Sequence, residues 1–303
     1  MNIQFIKYSK LWLTISAIIT LLCVGLFLKF GIKTGIDFTG GSLMEVNYSG
    51  LRPSVEDVQA VFTGEQLKDT VVQKTGDNGM IIRTNFISED VHQKLLIGLR
   101  DKFQTPDNTV REVTFETVGP SVSQSLKQRA WQAILFVSLG IIAYVAYAFR
   151  QVSRPVASWK YGVLAVVALI HDVLLVVGVF VLLGYFLGTE IDVGFVVALL
   201  TVLGYSVNDT IVVYDRIREN LLRHSAPDFG DVVNNGLNQT LMRSINTTAK
   251  TLLPLLALFI WGGATIHNFT LALIIGIASG AYSSIFIASP LLVLVEKWQR
   301  RNG

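Results

Sequence analysis

The sequence predicts a polytopic α-helical membrane protein of six transmembrane helices, with one small α+β domain of ferredoxin-like topology outside the membrane. Of its 303 residues, 51% are hydrophobic and only 16% are charged, whereas a soluble globular chain carries about 25% charged residues. Six apolar stretches are long enough to cross about 30 Å of hydrocarbon. A segment of mixed composition, residues 31–129, separates the first two stretches.

The six predicted spans follow one another with a consistent charge pattern. They are residues 11–28, 130–149, 161–187, 194–214, 247–265 and 269–295. The first follows Lys7 and Lys10 and ends without a small-residue cleavage site, so it predicts an uncleaved helix rather than a signal peptide. The short loops near 188–193 and 262–268 contain no Lys or Arg, whereas the alternate loops do. By the positive-inside rule, both termini then lie in the cytoplasm and residues 31–129 outside it.

The chain accordingly divides into residues 1–30 with the first span, an outer domain at 31–129, and a membrane domain at 130–303 with its cytoplasmic loops. Within the outer domain, alternating apolar positions and turn residues predict four strands and two helices. These are SLMEVNY (42–48), RPSVEDVQAVFTG (52–64, a helix capped by Ser54 and ended by Gly64), DTVVQKT (69–75), GMIIRTNF (79–86), SEDVHQKLLIGLRDKF (88–103, a helix) and NTVREVTFETVG (108–119). The order βαββαβ is that of the ferredoxin-like fold.

The fourth span contains a carboxylate, in GYSVNDTIVVYDRIREN (204–220). A carboxylate at the centre of a spanning helix costs roughly 2.5–3.5 kcal/mol on insertion scales. Thr201, Tyr205, Asn208 and Asp209 share one helical face, so we expect Asp209 to point into a bundle or a wet cavity, with Asn208 and Tyr205 able to hydrogen-bond it. Burial favours the protonated form of a carboxyl group, which allows proton uptake and release. The alternative is a packing carboxylate satisfied by its neighbours.

Several stretches resemble SecD and SecF, the accessory subunits of the bacterial Sec protein-export machinery. They are Asp37-Phe38-Thr39-Gly40-Gly41, FETVGPSVSQSL (115–126), HDVLLVVGV (171–179), TVLGYSVNDTIVVYDRIREN (201–220) and LNQTLMRSINTT (237–248). The resemblance is to SecF over nearly the whole chain, and it is most specific in the fourth span. It implies one half of a two-half bundle of the resistance–nodulation–division type in the bacterial inner membrane, with a periplasmic outer domain.

The resemblance also implies a cation beside the fourth-span aspartate. Arg243, which precedes the fifth span, is the residue that matches the family's arginine. A guanidinium keeps its charge, so Arg243 can hold Asp209 ionised in one state and release it in another. The alternative is an anchor at the cytoplasmic surface. Lys250 departs from the family pattern and lies nearly on the same helical face, where it either reaches the cytoplasm or adds a second cation.

Three other features concern the helices and the first strand. Asp172, beside His171 in the third span, is predicted equally as a proton relay or as a structural hydrogen-bond acceptor, and His171 as structural. Gly276 and Gly280 have the spacing that lets helices approach closely. The glycine-rich TGIDFTGGSLMEV (34–46) lacks the ending of a phosphate loop. It predicts instead a turn in which Gly40 and Gly41 adopt unusual backbone angles.

The resemblance implies a function in protein export. With SecD, the chain would use a transmembrane ion gradient, of protons or of sodium, to promote late steps of preprotein translocation. The implied partners are SecD, the SecYEG channel, YajC, the translocating preprotein and membrane lipids, and no nucleic acid. Because the sequence has no zinc-protease motif, Cys/His cluster or nucleophile elbow, we expect neither an enzyme nor a cofactor. The alternatives are a scaffold that stabilises the translocon and an exporter of small molecules or lipids from the same superfamily.

Overall fold

The computed structural model describes residues 3–62, 67, 70–150, 155–223, 226 and 228–302. The chain forms two compact units, which we name the outer unit (Thr34–Arg129) and the membrane unit (Met1–Lys33 with Ala130–Gly303). Six of the helices described are long and apolar enough to cross a membrane. The fold class predicted from the sequence is therefore confirmed, and the chain is a multi-pass membrane protein.

The secondary structure runs in the following order. The elements are α1 Ser9–Phe30, α2 Ile36–Thr39, β1 Gly41–Tyr48, α3 Val55–Gln59, β2 Val71–Thr75, β3 Gly79–Thr84, α4 Glu89–Phe103, β4 Val110–Val118, α5 Pro120–Ala148, α6 Ser158–Leu187, α7 Val193–Leu222, α8 Phe229–Trp261, α9 Ala264–Ser283 and α10 Ser289–Asn302. A single 3-10 turn, Ile6–Tyr8, precedes α1. A π-helical turn, Ser284–Ala288, joins α9 to α10, so the sixth crossing helix runs over Thr265–Arg301.

The fifth crossing helix, α8, begins at Phe229, well before the predicted residue 247. Its first turns are polar, and two asparagines there bond the start of the chain. Asn238 Oδ1 accepts the Ile3 amide at 2.8 Å, and Asn234 Nδ2 donates to the Ile3 carbonyl at 3.1 Å. The Asp228 side chain caps the helix by accepting the Gly230 amide. Hydropathy does not register such contacts, and the apolar stretch predicted to begin at residue 247 is the later part of this longer helix.

In the membrane unit, glycines bring α9 against α7. A Cβ at Gly280 would lie 2.8 Å from Ser206 Cβ, and one at Gly276 would overlap the Val202 side chain. The close approach predicted from the glycine spacing is therefore confirmed. A cluster of aromatic rings packs nearby in the core, where Tyr161 of α6 and Tyr214 of α7 are fully buried with ring centroids 5.3 Å apart.

In the outer unit, four antiparallel strands form a sheet in the order β2-β3-β1-β4. With α3 and α4 between the strands, this is the predicted βαββαβ arrangement. Ser54 caps α3 as predicted, since its hydroxyl accepts the Asp57 amide at 3.1 Å. Gly64, predicted to end that helix, lies outside the described residues. The one-turn helix α2, which contains Asp37, was not predicted; its Phe38 side chain is buried.

The turn before β1 requires glycine. Gly40 and Gly41 have φ angles of +74° and +121°, which confirms the unusual angles predicted for them. A Cβ at Gly41 would also lie 2.6 Å from the carbonyl oxygen of Thr84 on the neighbouring strand. Backbone contacts of this kind cannot be relieved by rotating a side chain.

We therefore expect Gly41→Ala to destabilise the outer unit, by about 1–3 kcal/mol for the strained backbone alone. Hydrogen exchange of the β1 amides in the full-length chain would measure the loss as faster exchange. Gly119→Ala is the control, because a Cβ there meets nothing within 4 Å. Equal exchange rates in the two variants would show that the turn tolerates a side chain at Gly41.

Candidate functional site

Asp172 lies at the centre of the membrane unit and is fully buried. Three serine hydroxyls donate to its carboxylate: Ser206 and Ser283 to Oδ2, each at 2.7 Å, and Ser279 to Oδ1 at 2.6 Å. His171 Nδ1 lies 3.2 Å from the same Oδ1. An ionised carboxylate has about four acceptor positions. The surroundings of Asp172 therefore fill its capacity and join α6 to α7 and α9.

Asp209 of α7 is also buried, with 6% of its surface exposed. Its Oδ1 accepts the hydroxyl of Ser244 on α8 at 2.8 Å, and its Oδ2 accepts that of Ser284, at the start of the π-helical turn, at 2.9 Å. With one donor on each oxygen, about half of the acceptor capacity of this carboxylate is used. Asp209 can therefore accept a further proton or cation without losing a bond.

The two carboxylates lie on different helices, but groups of the two clusters occupy neighbouring positions on α7 and on the last crossing helix. Ser206, which bonds Asp172, stands three residues before Asp209 on α7, and consecutive serines of the last crossing helix, Ser283 and Ser284, bond one carboxylate each. Three helical residues advance about 4.5 Å along the axis, so the two clusters lie about one turn apart. We call this group the carboxylate column; its members are Asp172, Asp209, Ser206, Ser244, Ser279, Ser283 and Ser284.

Local sequence explains why the column forms. Gly276 and Gly280 let α9 approach α7, so that short serine side chains on both helices reach Asp172. The π-helical turn follows at once, and the Ser289 hydroxyl bonds the Ser284 carbonyl at 2.9 Å, five residues apart. Single π-turns inside α-helices occur frequently at functional sites.

The column holds little positive charge. In the part of the chain that the structure describes, no Lys or Arg side chain bonds either carboxylate. Among the described residues, serine hydroxyls donate to the two carboxylates, and the His171 ring contacts Asp172. Burying an ionised carboxylate without a partner charge costs a large desolvation free energy. Hydroxyl donors alone would offset only a modest part of that cost for Asp172 and Asp209.

The structure places the predicted partners of Asp209 elsewhere. Tyr205 is half-buried and its hydroxyl lies 3.1 Å from Thr251 Oγ1, while Asn208 is exposed. The predicted hydrogen bonds from these two residues to Asp209 are therefore wrong. The reason is the orientation of α7 about its own axis. Its buried face includes Val202, Ser206 and Asp209. The polar face expected from the sequence is therefore turned partly away from the interior of the bundle.

Arg243 is exposed on α8, and within the described ranges it makes no ion pair with Asp209. The next residue, Ser244, is the one that bonds the carboxylate, so α7 and α8 are neighbours as expected. Lys250 is exposed on the same helix. The exchange of Asp209 between Arg243 and an ion remains a prediction.

Sequence reasoning missed the serines. One signal was available for two of them: Ser279 and Ser283 are four residues apart, on one face of a span that also carries the closely packing glycines. The partners of those serines lie on other helices, and no local pattern identifies them.

Comparison with known proteins gives the family. Residues 99–298 match the model described as Protein export membrane protein SecD/SecF, C-terminal, and residues 25–50 match the SecD/SecF GG motif. Protein translocase subunit SecF of Thermobaculum terrenum is 41% identical over 99% of this chain and 95% of its own length, and that of Anaerolinea thermophila is 40% identical over 90% and 87%.

Among solved structures, the crystal structure of SecDF, a translocon-associated membrane protein from Thermus thermophilus, matches 99% of this chain with a TM-score of 0.81 and 31% identity. The present chain spans 39% of that longer chain. The match therefore extends over both the membrane unit and the outer unit of this chain. The family models, the relatives and the fold agree, and the chain belongs to the SecD/SecF family of protein-export membrane proteins.

Proposed function

We propose that this chain acts as a SecF-type subunit of the protein-export machinery. Together with SecD it uses a transmembrane ion gradient to promote late steps of preprotein translocation. The observation that carries the proposal is Asp209, a buried carboxylate with one serine hydroxyl on each oxygen. An ionisable group inside a membrane bundle is a candidate for an ion pathway.

A proton is the coupling ion that these surroundings favour. A serine hydroxyl both donates and accepts hydrogen bonds, so Ser244 and Ser284 can satisfy Asp209 in its ionised and its protonated form. One charge that crosses 100 mV gains about 2.3 kcal/mol, roughly a fiftyfold change in a two-state equilibrium. That is sufficient to bias a movement of the outer unit. Sodium is the alternative that the ion-substitution arm of the experiment tests.

The exposed side of α8 supports SecD as a partner. This crossing helix exposes Arg243, Asn246, Thr247 and Lys250, and polar groups that face hydrocarbon are costly. A protein surface that covers this side would remove the cost. The SecDF structure, in which one chain carries both names, is consistent with SecD as that surface.

We propose the remaining features on the family resemblance and the charge pattern. Both termini lie in the cytoplasm and the outer unit lies in the periplasm of the bacterial inner membrane. SecYEG, the translocating preprotein and YajC are further partners, with lipids around the spans. The chain is a transport subunit rather than an enzyme and needs no cofactor.

The test is Asp209→Asn in a strain that expresses this chain with its SecD. The variant keeps the size of the side chain but cannot carry a negative charge, so we expect the complex to assemble and the gradient-dependent part of export to be lost. Export and ion current are measured with proton and sodium gradients applied separately. Asp215→Asn is the matched control, because Asp215 lies on the same helix with its side chain 60% exposed.

Two outcomes separate the candidate functions, and a third tests whether the effect is specific to Asp209. Loss of assembly in Asp209→Asn would favour the scaffold function instead. Full gradient-dependent export in the Asp209→Asn strain would overturn the proposal. Loss of export in the Asp215→Asn control as well would show that the effect is not specific to the buried carboxylate.

A further inference from the structure

His171 carries a nitrogen that the function proposed above does not use. Its side chain is 5% exposed, and its Nε2 has no hydrogen-bond partner among the described residues. Most buried polar atoms in proteins are paired, so an unpaired ring nitrogen beside a buried carboxylate is unusual. It lies next to Asp172, the fully buried carboxylate of the column.

An ionised Asp172 would determine which ring nitrogen carries the proton in neutral His171. An ionised carboxylate only accepts hydrogen bonds, so the 3.2 Å contact would then place the ring proton on Nδ1. Nε2 then bears the lone pair. The orientation of a histidine by a carboxylate on one nitrogen leaves the other as a base.

The groups around His171 leave the lone pair free. Among the described residues, the titratable groups in contact with it are Asp172 on its own helix and Tyr282 on α9, whose ring centroid lies 6.1 Å away. The Tyr282 hydroxyl already pairs with Ser16 of α1 at 2.9 Å. Cys23, also on α1, lies at Gly178, about two turns along α6, and α7 contributes Asp209 to the same column.

Charge balance favours a proton at this nitrogen. Three serine hydroxyls donate to Asp172, an arrangement that suits an ionised carboxylate, and the described surroundings offer it no Lys or Arg. A proton on Nε2 would convert His171 to an imidazolium and pair the buried negative charge with a positive one. A charge pair is less costly to bury than an isolated charge.

We propose that His171 is a second proton-binding group of the membrane unit, that it takes up its proton at Nε2, and that Asp172 holds the ring in position. The sequence predicted a structural role for His171, and for Asp172 it predicted a proton relay and a structural acceptor equally. The geometry points to proton uptake by the histidine and positioning by the aspartate. The reaction forms one N–H bond and changes the ring from neutral to positive. Only its relevance to export rests on the proposed function.

The direct test is nitrogen NMR of ¹⁵N-histidine in the full-length chain, in complex with SecD in lipid bilayers, from about pH 5 to 9, where histidine changes charge. The difference between the wild-type and His171→Asn spectra isolates this ring. We expect a neutral ring protonated on Nδ1 at the high end and a doubly protonated ring at the low end. In Asp172→Asn, the doubly protonated signal is expected to be lost over the same range.

A second measurement tests whether the proton matters for transport. The pH profile of the ion current is expected to change in His171→Asn and to remain that of the wild type in His267→Asn, since His267 is exposed. A ring that stays in one neutral tautomer throughout would overturn the inference, and an unchanged profile in His171→Asn would overturn its relevance to transport. If the ring titrates while Asp209→Asn exports normally, the proton-binding group stands and the proposed function fails.

Discussion

Replacing Asp172 with alanine is expected to destabilise the membrane unit by about 2–3 kcal/mol. The change removes the common acceptor of three serine hydroxyls from α7 and α9 at a fully buried position. Hydrogen bonds between membrane helices contribute about 0.6 kcal/mol on average, and the cavity adds to their loss. Unfolding of the purified chain in mixed micelles of increasing denaturing detergent would measure the effect.

Two comparisons make that experiment specific. Asp172→Asn retains a carbonyl oxygen as acceptor, and serine hydroxyls can rotate to bond its amide, so we expect a smaller loss. Asp215→Ala removes an exposed carboxylate that pairs with Arg218 at 3.2 Å, and such surface pairs contribute about 0–1 kcal/mol. If Asp172→Ala unfolds like the wild type, the serines do not depend on this carboxylate for stability.

Gly280→Leu is expected to disrupt the same region through its backbone. A Cβ at this position would lie 2.8 Å from Ser206 Cβ and 3.1 Å from Ser206 Cα, so no side-chain rotation relieves the contact. Overpacking of a dense core costs about 1–3 kcal/mol, and more where the backbone must move. The helices separate, and Ser206 loses its 2.7 Å bond to Asp172.

Gly204→Leu provides the matched control, because a Cβ at Gly204 on α7 meets nothing within 4 Å. We expect Gly280→Leu to lower both the resistance to unfolding and gradient-dependent export, and Gly204→Leu to change unfolding little. Equal behaviour of the two leucine variants in the unfolding assay would contradict the assignment of Gly280 to a close helix contact.

The sequence was sufficient for the parts of the fold that local periodicity determines. The six apolar helices and the βαββαβ order depend on composition, alternation and turn residues, which are properties of short stretches. The polar first turns of α8, by contrast, include Asn234 and Asn238, which bond Ile3, more than two hundred residues away along the chain. Contacts of that range have no local signature, so the sequence indicated only the apolar part of α8, from residue 247.

The same distinction applies to the candidate site. The burial of Asp209 could be predicted because a carboxylate in an apolar span would otherwise face hydrocarbon, which costs free energy. Its partners could not, because they depend on how α7 is rotated against α8 and α9. A rotation of one position on a helix, about 100°, separates the exposed Asn208 from the buried Asp209.

The adjacency of Ser283 and Ser284 places partners of both carboxylates on one short stretch of backbone. Consecutive residues of the last crossing helix bond Asp172 and Asp209. If the ion binding proposed for Asp209 altered the Asp172 cluster by some free energy, that cluster would alter ion binding by the same amount, because coupling between two sites is reciprocal. The two buried carboxyl groups would then form one cooperative element.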